Sequence, residues 1–432
     1  MRIVDRLHDP LADHAALFAA RGKAHERVVP EVKIADGMLD EQCGHRSSRS
    51  ELRLGVLDAR RERGRLPSQG SGGPLRRTLA GVTGPNLAAR LSAAVEHIAV
   101  AGADDRGLRS QVLDVIQRYV PFDAYAFLLT DPATTVGCSP LAEVPNLATL
   151  PHLIRLKYLT SVNRWTRLPT SGCATLQQAT GGRPEQSQLW REHLADLGIL
   201  DVASAVFTDR FGWWGFLDLW RRESCFTDDE VAALAGARPK ITSRLRYVQA
   251  AGFTSGGNVP RQRGPGALVL SPALTVRVQT PQTQDWLAAL VPPLSGRGPV
   301  PASAYNVAAQ LLAIEASVDS HPAQARVHLG VGTWLTLRAD RVAGNQPVED
   351  RDIVVTMEES SPAERRDIFS RSHGLTGRED VLLRHLADGV DTRTVARLMS
   401  ISEHTVQDHL KSVFIKTSTS SRRELLAKSA GQ

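Results

Sequence analysis

The sequence predicts an α+β multidomain protein: two small sheets with flanking helices, followed by an all-α four-helix domain at the C-terminus. Three observations carry this expectation. Short apolar segments of strand character, bracketed by stretches of helical spacing, recur between residues 124 and 357. A run with two prolines and several glycines, Gly256 to Gly266, divides them into two groups. From residue 370 onward the strand signals cease, and short helical segments follow one another, each opened by a Ser, Thr or Asp. The 432 residues are 42% hydrophobic and 23% charged, which excludes a fibrous, collagenous or wholly disordered chain. The net charge of +6 is compatible with a nucleic-acid partner but does not establish one.

Residues 1–85 differ from the rest. They are rich in Arg, have Phe18 as their only aromatic and end in the low-complexity run Pro67-Ser-Gln-Gly-Ser-Gly-Gly-Pro74. Such a segment buries little core and reads as a disordered tail. Within it, Ser50 to Arg65 has the makings of a charged helix, and the pairs Arg60-Arg61 and Arg76-Arg77 are suited to phosphate. The first residues interleave charges and lack the apolar run of a signal peptide, and no stretch approaches the roughly 18 apolar residues of a membrane span. Cys43, Cys138, Cys173 and Cys225 lie far apart with no C-x-x-C pair, so reduced thiols in a cytoplasmic protein are expected, without a metal site or cofactor.

The first folded region spans 87–250. Leu87, Leu91, Ala94, Val95 and Ile98 recur at helical spacing, as do Leu108, Val112, Val115, Ile116 and Tyr119 before Pro121 stops the run. Ala124 to Thr130 reads as a buried strand. Val202 to Phe207 and Trp213 to Trp220 form a hairpin around Asp209-Arg-Phe-Gly212. On the second strand Trp214, Phe216 and Trp220 share a face opposite Trp213, either as core or as the aromatic wall of a small-molecule pocket. Thr227-Asp-Asp-Glu230 is a capping box opening a helix to Leu245, with a break expected near Pro239. After a linker at 251–266, the region 267–358 places two strands, two helices and three strands in order, with Gly330-Val-Gly332 as a turn between two of the last strands. A flexible join is expected at Ser360-Ser-Pro362.

The region 370–432 is the most informative. Thr376 and Glu379 form a capping box ahead of Leu382, Leu383 and Leu386, and the helix stops at Gly389. Asp391 caps a second helix that turns Val395, Ala396 and Met399 inward. Ser400-Ile-Ser402 is the break before a third, in which Val406, Leu410, Val413 and Phe414 make the buried stripe. Ser421-Arg-Arg-Glu424 begins a fourth. Two helices joined so tightly, with the small Ala396 at their crossing, form a helix-turn-helix, whose second helix suits the major groove. His404, Gln407, Asp408 and Lys411 share the face opposite the apolar stripe, and Arg393, Arg397, Lys416, Arg422 and Arg423 flank it as candidate phosphate contacts.

Leu375-Thr-Gly-Arg-Glu379, Ala387-Asp-Gly389, Val395-Ala396, Ile401-Ser402, Thr405-Val406, His409-Leu410, Lys416 and Ser421-Arg422 together resemble the DNA-binding domain of LuxR-type transcriptional regulators. The resemblance covers Leu375 to Ala427. It implies a four-helix unit binding double-stranded DNA as a homodimer, with Gln407, Asp408 and Lys411 facing bases and Thr405 near the backbone. The chain departs from that pattern in having Gln407 and Asp408 where relatives carry Lys after the Thr-Val pair, and Thr417-Ser418 where they carry Leu-Gly. An altered base preference is expected from the first departure, and a looser core from Thr417. Residues 87–250 resemble a GAF-type sensory domain and 267–358 a PAS-like module, which implies an unidentified small-molecule ligand.

No G-x-S-x-G, H-E-x-x-H, P-loop or dinucleotide fingerprint is present, so no catalytic role is expected. The functional expectation is a transcriptional regulator whose sensory domains control operator binding. The alternative is a signalling interaction protein whose C-terminal helices dock on a protein partner.

Overall fold

The first sheet is built around the hairpin expected from its aromatics. The computed structural model describes residues 85–100, 104–144, 146–253, 264–290, 300–330 and 332–431, all within one compact unit spanning 51–432. The Arg-rich tail with its charged segment and Arg pairs, Cys43, most of the 251–266 linker and the centre of the Gly330–Gly332 turn lie outside these residues.

Helices α1 (Pro85–Glu96) and α2 (Asp105–Tyr119) lead into β1 (Ala124–Thr130) and β2 (Gly137–Glu143). Then come α3 (Leu150–Leu159), β3 (Cys173–Thr175), α4 (Leu176–Thr180), β4 (Asp201–Asp209), β5 (Gly212–Arg221) and α5 (Asp228–Ala251). The strands form an antiparallel sheet in the order β2-β1-β5-β4-β3. Alternation along β5 sends Leu217 and Leu219 to the face covered by α5, where Gly215 also approaches Leu245, and Phe216, Asp218 and Trp220 to the other. Trp214 is fully buried and donates from Nε1 to Asp209 Oδ1 at 3.0 Å.

The expected break at Pro239 does not occur. α5 runs unbroken to Ala251, with Ala237, Ile241 and Leu245 buried on either side of the proline. Tertiary packing thus overrides the local penalty of the missing N–H. Thr242 donates its hydroxyl to Arg238 O at 2.8 Å, the back-bond of a helical Thr to the carbonyl four residues earlier.

The second sheet repeats the strand order of the first. Strands β6 (Gly266–Leu270) and β7 (Val276–Gln279), helices α6 (Pro281–Leu290) and α7 (Ala302–Glu315), then β8 (Gln324–His328), β9 (Trp334–Arg341) and β10 (Ile353–Glu359) give β7-β6-β10-β9-β8, again antiparallel. α7 is buried on most sides because it packs on its own sheet and also on α3 and β2 of the first.

The flexible join expected at Ser360-Ser-Pro362 is instead the start of a helix, α8 (Pro362–Ser372). Ser361 and Glu364 form a capping box, and Pro362 occupies the first turn, where its lack of an N–H is harmless. Four helices complete the chain: α9 (Gly377–Ala387), α10 (Thr392–Met399), α11 (Glu403–Thr417) and α12 (Arg422–Ala430). A boundary at 370 cuts through α8, whose Ile368 and Phe369 share one apolar cluster with Leu382, Val395, Val406 and Leu425. Phe253, just past the end of α5, and Trp334 of β9 join the same cluster, stacked 4.8 Å apart.

Among the described residues Cys138, Cys173 and Cys225 are free thiols, and no helix is long and apolar enough to cross a membrane.

Candidate nucleic-acid interface

Each of the last four helices begins where a side chain satisfies its free N–H groups. Thr376 caps α9, Asp391 caps α10 by accepting from Thr394 N at 3.0 Å, Ser402 caps α11 by accepting from Thr405 N at 3.0 Å, and Ser421 caps α12. The turn between α10 and α11 passes through Ser400 with φ of 54°, and Ile401 N bonds back to Ala396 O. Ala396 is 5% exposed at the crossing, where a larger side chain would force the helices apart. Val406, Leu410 and Val413 turn inward as the spacing expects, and the opposite face of α11 is left to solvent.

On that face His404 (89% exposed) and Asp408 (61%) are accompanied by exposed Gln407 and Lys411. Arg393, at 82% exposure, projects from α10 with Glu403 3.9 Å away, an ion pair too open to hold it. Thr405 is half-buried, its hydroxyl 2.9 Å from that of Ser402. The structure therefore brings Arg393, His404, Gln407, Asp408 and Lys411 to one open surface, with Thr405 beneath its edge.

Two expected phosphate contacts are committed elsewhere. Lys416 Nζ lies 2.6 Å and 2.8 Å from the two oxygens of Glu379, which is itself buried and also accepts from Ser412 Oγ and Thr376 N. Burial opposes ionisation of Glu379, but these partners outweigh it and hold its carboxyl at about 2. Arg422 Nη2 donates to Leu386 O at 3.1 Å and Val390 O at 2.9 Å, closing the C-terminal end of α9. Both cations fasten helices together. The remaining flanking cations, Arg397 and Arg423, are exposed.

Thr417 does not loosen the core. It is fully buried, and its hydroxyl donates to Val413 O at 2.8 Å and pairs with Thr419 Oγ1. Ser418 ends α11 in the left-handed region, φ 51°, where a side chain is disfavoured. Ser418→Gly is expected to stabilise the domain by up to about 1 kcal/mol, read as a raised melting temperature with DNA binding unchanged.

Ile415, one turn beyond Lys411, is 81% exposed, and residue spacing alone does not single it out. The one signal for it in the sequence is an aliphatic residue on the polar side of the helical wheel. Among the described residues no group of three or more His, Cys, Asp or Glu side chains is placed to hold a metal ion.

Four capped helices with the third presenting an open polar face define a helix-turn-helix of the DNA-binding kind. Residues 373–428 match the model of the bacterial regulatory proteins of the luxR family, and this segment is a LuxR-type domain of DNA-binding transcriptional regulators. No curated protein matches the chain significantly. Among solved structures, Escherichia coli SdiA aligns over 80% of this chain and 96% of its own, at 11% identity and a TM-score of 0.30, a likeness too loose to carry an argument.

Proposed function

We propose that this chain binds operator DNA as a homodimer through α11 and that a GAF-like module (about 87–250) and a PAS-like module (about 267–358) govern that binding. The observation that carries the reading is the α11 face, on which Gln407, Asp408 and Lys411 are exposed together while Val406 and Leu410 are buried. Gln407 suits adenine, Asp408 accepts from cytosine N4, and Lys411 and Arg393 suit guanine or phosphate. Control by the sheet modules is supported by α8, which shares its apolar cluster with Phe253 just past α5, with Trp334 of β9 and with the last four helices. In this reading the signal alters how two recognition helices are presented at half-site spacing.

The test is DNA binding by the full chain over a range of salt. Lys411→Ala is expected to weaken binding by about 1–3 kcal/mol and, where Lys411 meets phosphate, to reduce the salt slope by about one. Gln407→Ala relaxes preference at particular base pairs and spares non-specific affinity. Asp408→Asn strengthens binding to all DNA if the carboxylate only faces the groove, and weakens binding to the operator alone if it reads a cytosine. Unchanged affinity and preference in all three folded variants would remove α11 from DNA recognition.

The exposed Ile415 favours a second reading, docking on a protein partner, since an aliphatic side chain at that exposure also suits a protein interface. Binding to such a partner would lack the steep salt dependence of phosphate contact.

A further inference from the structure

Helix α8 and the four helices after it share one apolar cluster, and among the described residues only Phe253 and Trp334 enter it from outside 362–431. The apolar seam between this unit and the two sheets is therefore narrow. Phe253 is 1% exposed and meets Phe369 of α8 edge to face at 5.2 Å, with the His373 ring 5.9 Å away and the Arg365 guanidinium 5.2 Å from its own ring centre. The chain crosses the seam once, at Ser360 and Ser361 between β10 and α8. The remaining links at the start of α8 are polar and partly open to solvent: Asp367 with Arg326, and Glu364 with Arg338 and Gln324.

A second contact reaches the same unit from the first sheet. Phe211 stands at the tip of the β4–β5 hairpin. Its carbonyl accepts from Arg371 Nη1 of α8 at 3.1 Å, and its ring lies against Gly374, where a Cβ would come within 3.2 Å of it. Gly374 joins α8 to α9 with φ of 65°, so both the backbone and the close approach call for glycine. The tip is braced from behind. Asp209 Oδ1 accepts from Phe211 N at 2.8 Å, Asp209 Oδ2 pairs with Arg246 Nη1 of α5 at 2.6 Å, and the guanidinium groups of Arg210 and Arg246 lie 4.6 and 4.8 Å from the Phe211 ring centre. A half-buried phenylalanine held in this way bears on the joint that precedes the helix-turn-helix.

We propose that Phe211 and Phe253 are positioning residues for DNA recognition: they seat the α8–α12 unit on the sheets in one orientation and so set the half-site spacing that a dimer accepts. Neither residue lies on the α11 face, whose Gln407, Asp408 and Lys411 are exposed with the unit seated. The affinity of one unit for one half-site is therefore independent of the seam. Selectivity for spacing is not. A unit seated by both rings presents α11 at a fixed place, whereas a unit held by its tether and part-exposed ion pairs accepts a range of spacings. This deepens the operator-binding reading and rests on it for its meaning in DNA. The seating itself is measured without DNA.

The test uses the full chain carrying Cys43→Ser and Cys225→Ser, with nitroxide labels at Arg384→Cys on α9 and Val348→Cys between β9 and β10, both exposed, diluted in unlabelled chain. Pulsed electron resonance is expected to give one narrow distance distribution. Phe253→Ala and Phe211→Ala each broaden it and add longer distances, while Phe211→Leu, which keeps an apolar side chain on Gly374, stays narrow. Val112→Ala, a core truncation in α2 away from the seam, also stays narrow. For DNA, the probes are a two-half-site duplex selected by the chain from a random pool, the same duplex with two base pairs added between the half-sites, and one half-site alone. Both Ala variants at the seam reduce the preference for the selected spacing by about fivefold or more and leave half-site affinity unchanged, and Val112→Ala changes neither. An unchanged distribution in both seam variants overturns the seating role, as does equal broadening in Val112→Ala. Unchanged spacing preference in a variant whose distances have broadened overturns the positioning role. Where Phe253→Ala loses helix by circular dichroism, Phe211→Ala decides, since its side chain lies outside the cluster of the unit. A chain that selects no DNA overturns the operator reading, and the distances still decide the seating.

Discussion

Arg326→Ala is expected to lower the stability of the chain by about 3–5 kcal/mol, because it strands a buried carboxylate. Asp131, at the end of β1, is fully buried. It accepts from Arg326 Nε at 2.7 Å, Arg326 Nη2 at 2.8 Å and Arg326 N at 2.9 Å. Burial alone would push its carboxyl up, and the guanidinium outweighs this and holds it low. The other arm of Arg326 donates to Asp367 Oδ2 at 2.8 Å and Glu364 O at 3.2 Å on α8. One side chain on β8 thus ties the first sheet to the helix that leads into the DNA-binding domain. With it removed, Asp131 keeps only the N–H groups of Ala133, Thr134 and residue 326 against the cost of a buried charge. Urea unfolding of Arg326→Ala, Asp131→Asn and the double variant separates the pair from its surroundings. The double variant should recover part of the loss, and Asp367→Asn, whose own carboxylate is 36% exposed, should cost less than about 1 kcal/mol. A loss below about 1 kcal/mol for Arg326→Ala would show that the pair is not holding the modules together.

The four C-terminal helices are legible in the sequence because their signals are local. Thr376, Asp391, Ser402 and Ser421 are read from one residue and its neighbours, and the Val406, Leu410, Val413 spacing needs only one helix. The central hairpin is legible for the same reason, since Trp213 to Trp220 faces Val202 to Phe207 across a short turn. What escapes depends on partners distant in the chain. Lys416 sits on a polar face, yet its ammonium reaches Glu379, 37 residues earlier, and Arg422 reaches the end of α9. β2 escapes because Pro140 interrupts its pattern, tolerable only because β2 is an edge strand. β3 has just three residues. The run through Pro239 is set by the sheet on which α5 lies. The seat of the last helices, likewise, joins Phe211 to Gly374, and no window of sequence contains both.

The ion pair between Lys416 and Glu379 makes the DNA-binding domain acid-sensitive in a window set by its carboxyl. Glu379 titrates at about 2 in the folded chain, against 4.5 for a free glutamate. The unfolded chain therefore takes up a proton first as the pH falls. The stabilisation is complete above pH 4.5, declines between 4.5 and 2 and vanishes below. The shift corresponds to about 3 kcal/mol. His328 and His373, both held neutral down to about 4 by burial against an ordinary 6.5, add an earlier loss between 6.5 and 4. Comparison with Glu379→Gln isolates the carboxylate from these histidines. Glutamine still completes a capping box with Thr376, so the variant loses the charge and keeps the helix start. Its deficit relative to wild type should be about 3 kcal/mol at pH 7, where the carboxylate is ionised in both states, and should close as the pH approaches 2. Lys416→Met leaves the Glu379 charge buried with only Ser412 and Thr376 to answer it, so it is expected to destabilise by a similar amount. The double variant should be better than either alone. DNA affinity, measured well below the melting temperature, should fall little in Lys416→Met and markedly in Lys411→Ala. The reverse order would return Lys416 to the phosphate contacts and take the structural role from it.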